Sequence, residues 1–319
     1  MTDRRDFLKT MAIGGASALM APSLLNSCAP KEESVLDTSA GGLIVPKDNG
    51  LRITGTFLDE ISHDIPHQNW GEKEWDQDFA YMKAIGIDTV IDIRCGYRKF
   101  ITYPSPYLLK KGCYMPSVDL IDMFCRLAQK HGMKFYLGLY DSGVYWDTKD
   151  MSHEIEDNKF VIDEVWKMYG EKYDSFGGWY ISTEISRDTI GAVDAFHAMG
   201  KQCKDVSGGM PVFISPWIDG KKAIMGTNKA VNDNAVSVDQ HEKEWNQIFA
   251  GIHDVVDAVA FQDGHIDYDE LDAFFSVNKK LADRYGMQCW TNAETFDRDM
   301  PINLYFLILT LLSLHLLPK

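Results

Sequence analysis

Two glutamates, Glu184 and Glu294, close two short apolar runs of similar design. One run reads Trp179-Tyr180-Ile181-Ser182-Thr183-Glu184, the other Trp290-Thr291-Asn292-Ala293-Glu294. Alternate residues of a strand share a face. Tyr180, Ser182 and Glu184 therefore point one way, and Trp290, Asn292 and Glu294 do the same. Two carboxyl groups aimed at one mouth suit cleavage of a glycosidic bond. One, protonated, donates to the leaving oxygen; the other, ionised, attacks the anomeric carbon or activates water. Neighbouring carboxylates in general push their pKa values apart, which provides an acid and a base at one pH.

The elements that must hold these residues follow a repeat. A glycine opens an apolar run, the run ends in polar residues, and an amphipathic helix leads to the next run. The runs are Ile53–Leu58, Thr89–Arg94, Lys134–Tyr140, Gly178–Glu184, Pro211–Trp217, Ala258–Asp263 and Gln288–Glu294. Gly86, Gly132, Gly177, Gly209 and Gly286 precede five of them and mark the switch from helix to strand. Between the runs, Trp75, Phe79 and Met82 are spaced for one helix face. Leu120, Phe124, Leu127 and Ala128 line a second, with Ser117 as its cap; Phe160, Val161 and Val165 belong to a third, and Leu271, Phe274, Phe275, Leu281 and Tyr285 to a later one. Alternating strands and helices predict an α/β fold with parallel strands, a (β/α)8 TIM barrel. An open doubly wound sheet is the alternative; Thr54-Gly55-Thr56-Phe57 offers a single glycine after the first strand and no phosphate loop. The barrel reads as truncated after strand seven. The tail 301–319 is Leu-rich, and beyond Asp299 it carries no acidic residue. A seventh helix is the plainer reading of that tail, a truncated or frame-shifted end the preferred one.

Barrel active sites lie at the C-terminal ends of the strands. There the sequence sets Asp59, Arg94, Tyr140, Trp217, Gln262, Trp290 and Asn292 as candidate substrate-binding residues around Glu184 and Glu294. Flat aromatic faces, Trp70, Trp146, Trp217 and Trp290, suit sugar rings, and ordinary packing is their other reading. Arg94 either contacts hydroxyls or pairs with Asp92, and the pair is favoured. Asp263 and His265 belong to an Asp-Gly turn. His63 and His67 have the i,i+4 spacing of a metal pair, but Pro66 between them argues for a loop. No metal site and no cofactor is expected.

The N-terminus carries its own signals. Thr2-Asp3-Arg4-Arg5-Asp6-Phe7-Leu8-Lys9 resembles a twin-arginine export signal. The apolar stretch Met11 to Leu25 is shorter than the roughly 20 residues that span a bilayer. Leu25-Asn26-Ser27-Cys28 resembles a lipoprotein cleavage box, which makes Cys28 the lipidated residue. Lys31-Glu32-Glu33 resembles a tag for the outer surface. The expected organisation is a signal peptide at 1–28, a flexible polar tether at 29–50, the barrel domain at 51–300 and the atypical tail at 301–319. The expected location is the periplasm or outer-membrane surface of a Gram-negative bacterium, with the membrane touched through the lipid alone. A net charge of −15 argues against a nucleic-acid partner, because phosphates need a basic surface. The five cysteines beyond Cys28 read mostly as small buried residues.

From about Leu51 to Phe296, the chain resembles an exported lipoprotein family of glycosidase-like TIM-barrel domains of unknown function. That family is related to the retaining TIM-barrel glycoside hydrolase clan. Val259-Ala260-Phe261-Gln262-Asp263-Gly264 and Trp179–Glu184 carry the likeness. It implies Glu184 at strand four as acid/base, Glu294 at strand seven as nucleophile, and a carbohydrate as substrate. Many clan members have an asparagine directly before the strand-four glutamate, where this chain has Thr183. The other readings are a non-catalytic glycan-binding lipoprotein on the same scaffold, and a degraded gene product without activity.

Overall fold

The computed structural model describes residues 37–40, 43–45, 53–61, 70–187, 191–222 and 235–294. The chain divides into two units, Met1–Lys47 and Asp48–Lys319. Within the first, β1 (Asp37–Ala40) and β2 (Leu43–Val45) pair antiparallel, inside the stretch expected to be a tether. His63, His67 and the Leu-rich tail lie outside the described residues.

In the second unit the apolar runs become parallel strands. β3 (Gly55–Leu58) leads to helix α1 (Glu72–Ala84) and β4 (Thr89–Asp92). Two short strands, β5 (Gly96–Tyr97) and β6 (Phe100–Ile101), precede α2 (Pro106–Lys110) and α3 (Leu120–Lys130). Next come β7 (Lys134–Gly138), β8 (Tyr140–Asp141), α4 (Val144–Thr148) and α5 (Ser152–Val165), which runs on into a π turn, Trp166–Gly170. β9 (Phe176–Ile181), α6 (Ala192–Ser207), β10 (Val212–Ile214), α7 (Val238–Ile252), β11 (Ala258–Gln262), α8 (Leu271–Tyr285) and β12 (Gln288–Asn292) complete the described chain.

Seven of the strands form one sheet in the order β12-β11-β10-β9-β7-β4-β3, every pair parallel. Spatial order follows chain order, as in a barrel. Side-chain contacts show that the sheet curls. Phe57 of β3 lies 5.3 Å from Tyr180 of β9, ring to ring, although two strands separate them. A flat sheet would hold those strands about 14 Å apart. Likewise Tyr136 of β7 meets Trp290 of β12 at 6.2 Å, and Phe57 meets Phe213 of β10 at 6.2 Å. Ile91, Tyr180, Phe213, Ala258 and Ala260 are the buried residues of this inner layer. The opposite faces, Val90, Phe135, Leu137, Trp179, Ile181, Val212, Ile214, Val259 and Phe261, join the helices in the larger outer core. Among the described residues the result is a curled half-barrel of seven parallel strands alternating with helices, the architecture of a (β/α) barrel.

Details differ from the sequence reading for identifiable reasons. Gly86, Gly132, Gly209 and Gly286 have positive φ and end helices, but Gly177 lies inside β9. Its Cβ would press on Tyr136, so close packing rather than a turn needs glycine there. Asp119, not Ser117, caps α3, its carboxylate accepting from the Asp122 N–H at 3.0 Å. Phe160 is exposed on α5 and stacks on Tyr107 at 4.4 Å, while Asn158, Val161, Ile162 and Val165 occupy the buried stripe.

Candidate active site

Glu184 and Glu294 both lie just past the C-terminal ends of their strands, β9 and β12, and both are half-buried. Each stands four residues beyond an aromatic ring of the inner layer, Tyr180 and Trp290. Glu184 is fixed through its backbone, since the Tyr145 hydroxyl donates to its carbonyl. Glu294 is fixed from the β11 side. Its N–H donates to Asp263 Oδ1 at 2.8 Å, and its carboxylate rests on Gly264, where any Cβ would come within 2.2 Å of Oε2. The Asp-Gly turn thus contributes one acceptor and one absent side chain.

Behind Glu184 stands Arg94, almost wholly buried. It pairs with Asp141 at 3.0 Å and not, as the sequence reading favoured, with Asp92. The reason is strand geometry. Asp92 is level with Leu58 and Leu137, which belong to the outer core, so it leaves on the helix side. Asp141 also accepts from the Trp146 indole N–H at 2.8 Å and the Gly143 N–H at 2.8 Å. Burial opposes the charge of Arg94, but Asp141 first and Glu184 second hold its pKa above the ordinary value.

Trp217 and Trp146 stack at 6.2 Å and 13°, forming an aromatic wall. The Trp217 indole donates to Asp219 at 3.2 Å, and its ring neighbours His265 at 6.2 Å. Beside it run amide contacts along the rim. Gln262 donates to the Ser215 carbonyl at 2.7 Å, and Asn292 donates to the Ser215 hydroxyl at 3.0 Å. Two other expected contacts lie elsewhere. The Tyr140 hydroxyl donates to the Arg98 carbonyl at 2.5 Å, and its ring belongs to the outer core. Trp290 fills the inner layer against Phe213 and Tyr136, its N–H turned back to Gln288 at 3.1 Å. Trp70 packs edge-on against Trp75 at 5.1 Å.

A second acidic group gathers where β3 and β4 end. Asp59 accepts from the Ile61 N–H at 3.2 Å. Burial, then the charge of Asp59, pushes the Glu60 carboxyl up to about 7. Asp92 is raised well above the carboxylate range by burial, then by Asp59, against the pull of Arg94. Among the described residues, no three His, Cys, Asp or Glu side chains are grouped to hold a metal ion, and no helix is long and apolar enough to cross a membrane. Cys95, Cys125 and Cys203 are buried, and all five cysteines from Cys95 on are free thiols.

Asp141, Tyr145, Ser215 and Gly264 are the site residues that spacing alone did not single out. Asp141 had one signal, its place at the end of the third run; Gly264 had none beyond its turn.

A curled parallel sheet alternating with helices, with carboxylates past the ends of its fourth and seventh strands, defines a protein of the (β/α)-barrel class. The chain belongs to the family described as Domain of unknown function (DUF4434), whose model matches residues 53–312. It is 83% identical to a protein from Bacteroides thetaiotaomicron whose crystal structure is described as that of a "putative alpha-L-fucosidase". The match covers 82% of this chain and 81% of that one, with a TM-score of 0.77. An intracellular xylanase from Thermoanaerobacterium saccharolyticum shares 14% identity over 76% of this chain and 72% of its own, with a TM-score of 0.44. No curated protein matches the chain.

Proposed function

We propose that this chain is a retaining glycoside hydrolase, with Glu184 as acid/base and Glu294 as nucleophile. The observation that carries the reading is the pair itself: two half-buried carboxylates, each past the C-terminal end of a strand of one curled sheet. The 83% identical Bacteroides protein, described as a "putative alpha-L-fucosidase", supports a glycosidase and makes α-L-fucosides the first substrates to try. In the proposed reaction Glu294 attacks the anomeric carbon while Glu184 protonates the departing oxygen. Glu184 then takes a proton from a water whose oxygen bonds to the anomeric carbon, breaking its ester bond to Glu294 and releasing the sugar with its configuration retained. Trp217 and Trp146 offer a face for the sugar ring, and Gln262 and Asn292 offer hydrogen bonds to its hydroxyls.

Assay of aryl glycosides and a glycan panel, with the product anomer followed by NMR, tests this. We expect retention, a carboxyl separation of about 5–5.5 Å, and losses of about 10²–10⁴ in kcat for Glu184→Gln and at least as much for Glu294→Gln. Azide should restore turnover to Glu294→Gly. Full activity of either Gln variant, inversion, or no hydrolysis of any panel member refutes the assignment.

The N-terminal signals support an exported lipoprotein anchored through Cys28. In a Gram-negative host, labelled palmitate should enter the wild-type chain and not Cys28→Ser, and the variant should leave the membrane fraction. A wild-type chain that takes up no label ends the anchor reading.

A further inference from the structure

Among the described residues, the two non-glycine residues with left-handed backbone are both cations, Arg98 at φ 54° and Lys149 at φ 61°. A residue with a Cβ avoids that conformation, so each is held there by its surroundings. They flank the same short helix, α4. Arg98 lies over Gly143 at its start, so closely that a Cβ there would meet the Arg98 Cγ at 2.6 Å. Lys149 caps its end, its N–H donating to the Tyr145 carbonyl at 2.7 Å. Between them α4 carries Tyr145, bonded to the Glu184 carbonyl, and Trp146, stacked on Trp217.

The Lys149 ammonium is exposed and sits 5.8 Å from the Trp217 ring centroid and 5.7 Å from that of Tyr145. The acids around it are turned to other groups. Asp147 lies toward Arg98 at 3.9 Å, Asp150 accepts from the Ser152 N–H, and Asp219 takes the Trp217 indole and Arg187. No described carboxylate forms an ion pair with Lys149. Among the described residues, the Lys149 ammonium thus sits on an aromatic wall with no carboxylate paired to it. Neutral hydroxyls are already served there by Gln262 and Asn292. A chain of net charge −15 repels polyanions at long range, so an anion must be chosen by close contact.

We infer that Lys149 reads an anionic substituent, a sulfate ester or a carboxylate, on a sugar stacked against Trp217, and that the substrate is an acidic glycan. This rests on the reading of the mouth as a glycosidase site.

The test is calorimetric titration of the full chain carrying Glu294→Gln, so that ligands survive. Two matched pairs serve as probes: a sulfated fuco-oligosaccharide with its desulfated form, and a uronate-containing oligosaccharide with its carboxyl-reduced form. We expect at least one acidic member to bind about tenfold tighter than its neutral partner, and the pair that responds tells sulfate from carboxylate. Lys149→Asn, which tolerates the left-handed backbone, should bring the ratio near one, and Lys149→Arg should keep it. Thermal melting checks that both variants fold. Equal affinities in both pairs, no binding of either acidic member, or a ratio that survives Lys149→Asn overturns the inference. Binding is read without turnover, so the two proposals fail separately. Acidic selectivity in an inactive protein sinks the hydrolase reading alone, and turnover of neutral glycans without acidic preference sinks this one alone.

Discussion

A Cβ at position 264 would stand 2.2 Å from the carboxylate of Glu294. The mouth can hold that carboxylate in place only because residue 264 has no side chain. Gly264→Ala must push either the turn or the carboxylate aside. A shift of about 1 Å at a reacting group costs roughly 10² in rate. We therefore expect kcat on the best aryl glycoside to fall about 100-fold in Gly264→Ala, with the melting temperature little changed. Unchanged kcat would mean that Glu294 does not act from this position. Thr183, directly before Glu184, is buried, so under the proposed function other groups must contact the sugar.

At the level of elements, α5 fastens the loop that carries the aromatic wall. Asn158 bonds both the N–H and the carbonyl of Tyr140, at 3.0 and 2.8 Å. Glu154 accepts from the Ser142 N–H at 3.0 Å and the Ser142 hydroxyl at 2.6 Å. Burial pushes the Glu154 carboxyl up from 4.5 to about 7, against the help of those two bonds. Because the folded pKa is the higher one, the folded chain keeps its proton while the unfolded chain ionises. This contribution to stability is complete below about pH 4.5 and declines as pH rises to about 7, by about 3 kcal/mol. Glutamine can keep both contacts without titrating. In urea unfolding between pH 4.5 and 7, Glu154→Gln should therefore lose less stability than wild type with rising pH. Parallel profiles would show that Glu154 is ionised throughout.

Over the molecule as a whole, the curl of the sheet depends on the inner layer. Phe213 touches Phe57, Tyr136, Tyr180 and Trp290, four rings from four other strands. Phe213→Ala removes the ring they share, at an expected cost of about 3–5 kcal/mol. Denaturant unfolding measures it. A cost below about 1 kcal/mol would mean that the outer core alone maintains the curl.

The strand–helix alternation, the inward faces of Tyr180 and Trp290, and the buried stripe of α3 were legible in the sequence. Each follows from a local period, two residues for a strand and 3.6 for a helix, which composition records directly. The partner of Arg94 was not. Asp92 is two residues away in the chain, but it ends β4 on the helix side and Arg94 lies past that end, where the alternation lapses, while Asp141 arrives 47 residues later on β8. The neighbours against which Trp290 and Tyr140 pack were not legible for a related reason. Period tells which face a side chain takes, but not its depth along the barrel or where a rim loop turns outward. The room Gly264 leaves for Glu294, and the wall of Trp146, Trp217 and Lys149, join segments far apart in the chain. Such contacts depend on how loops from different strands meet in space, and only the tertiary structure decides that.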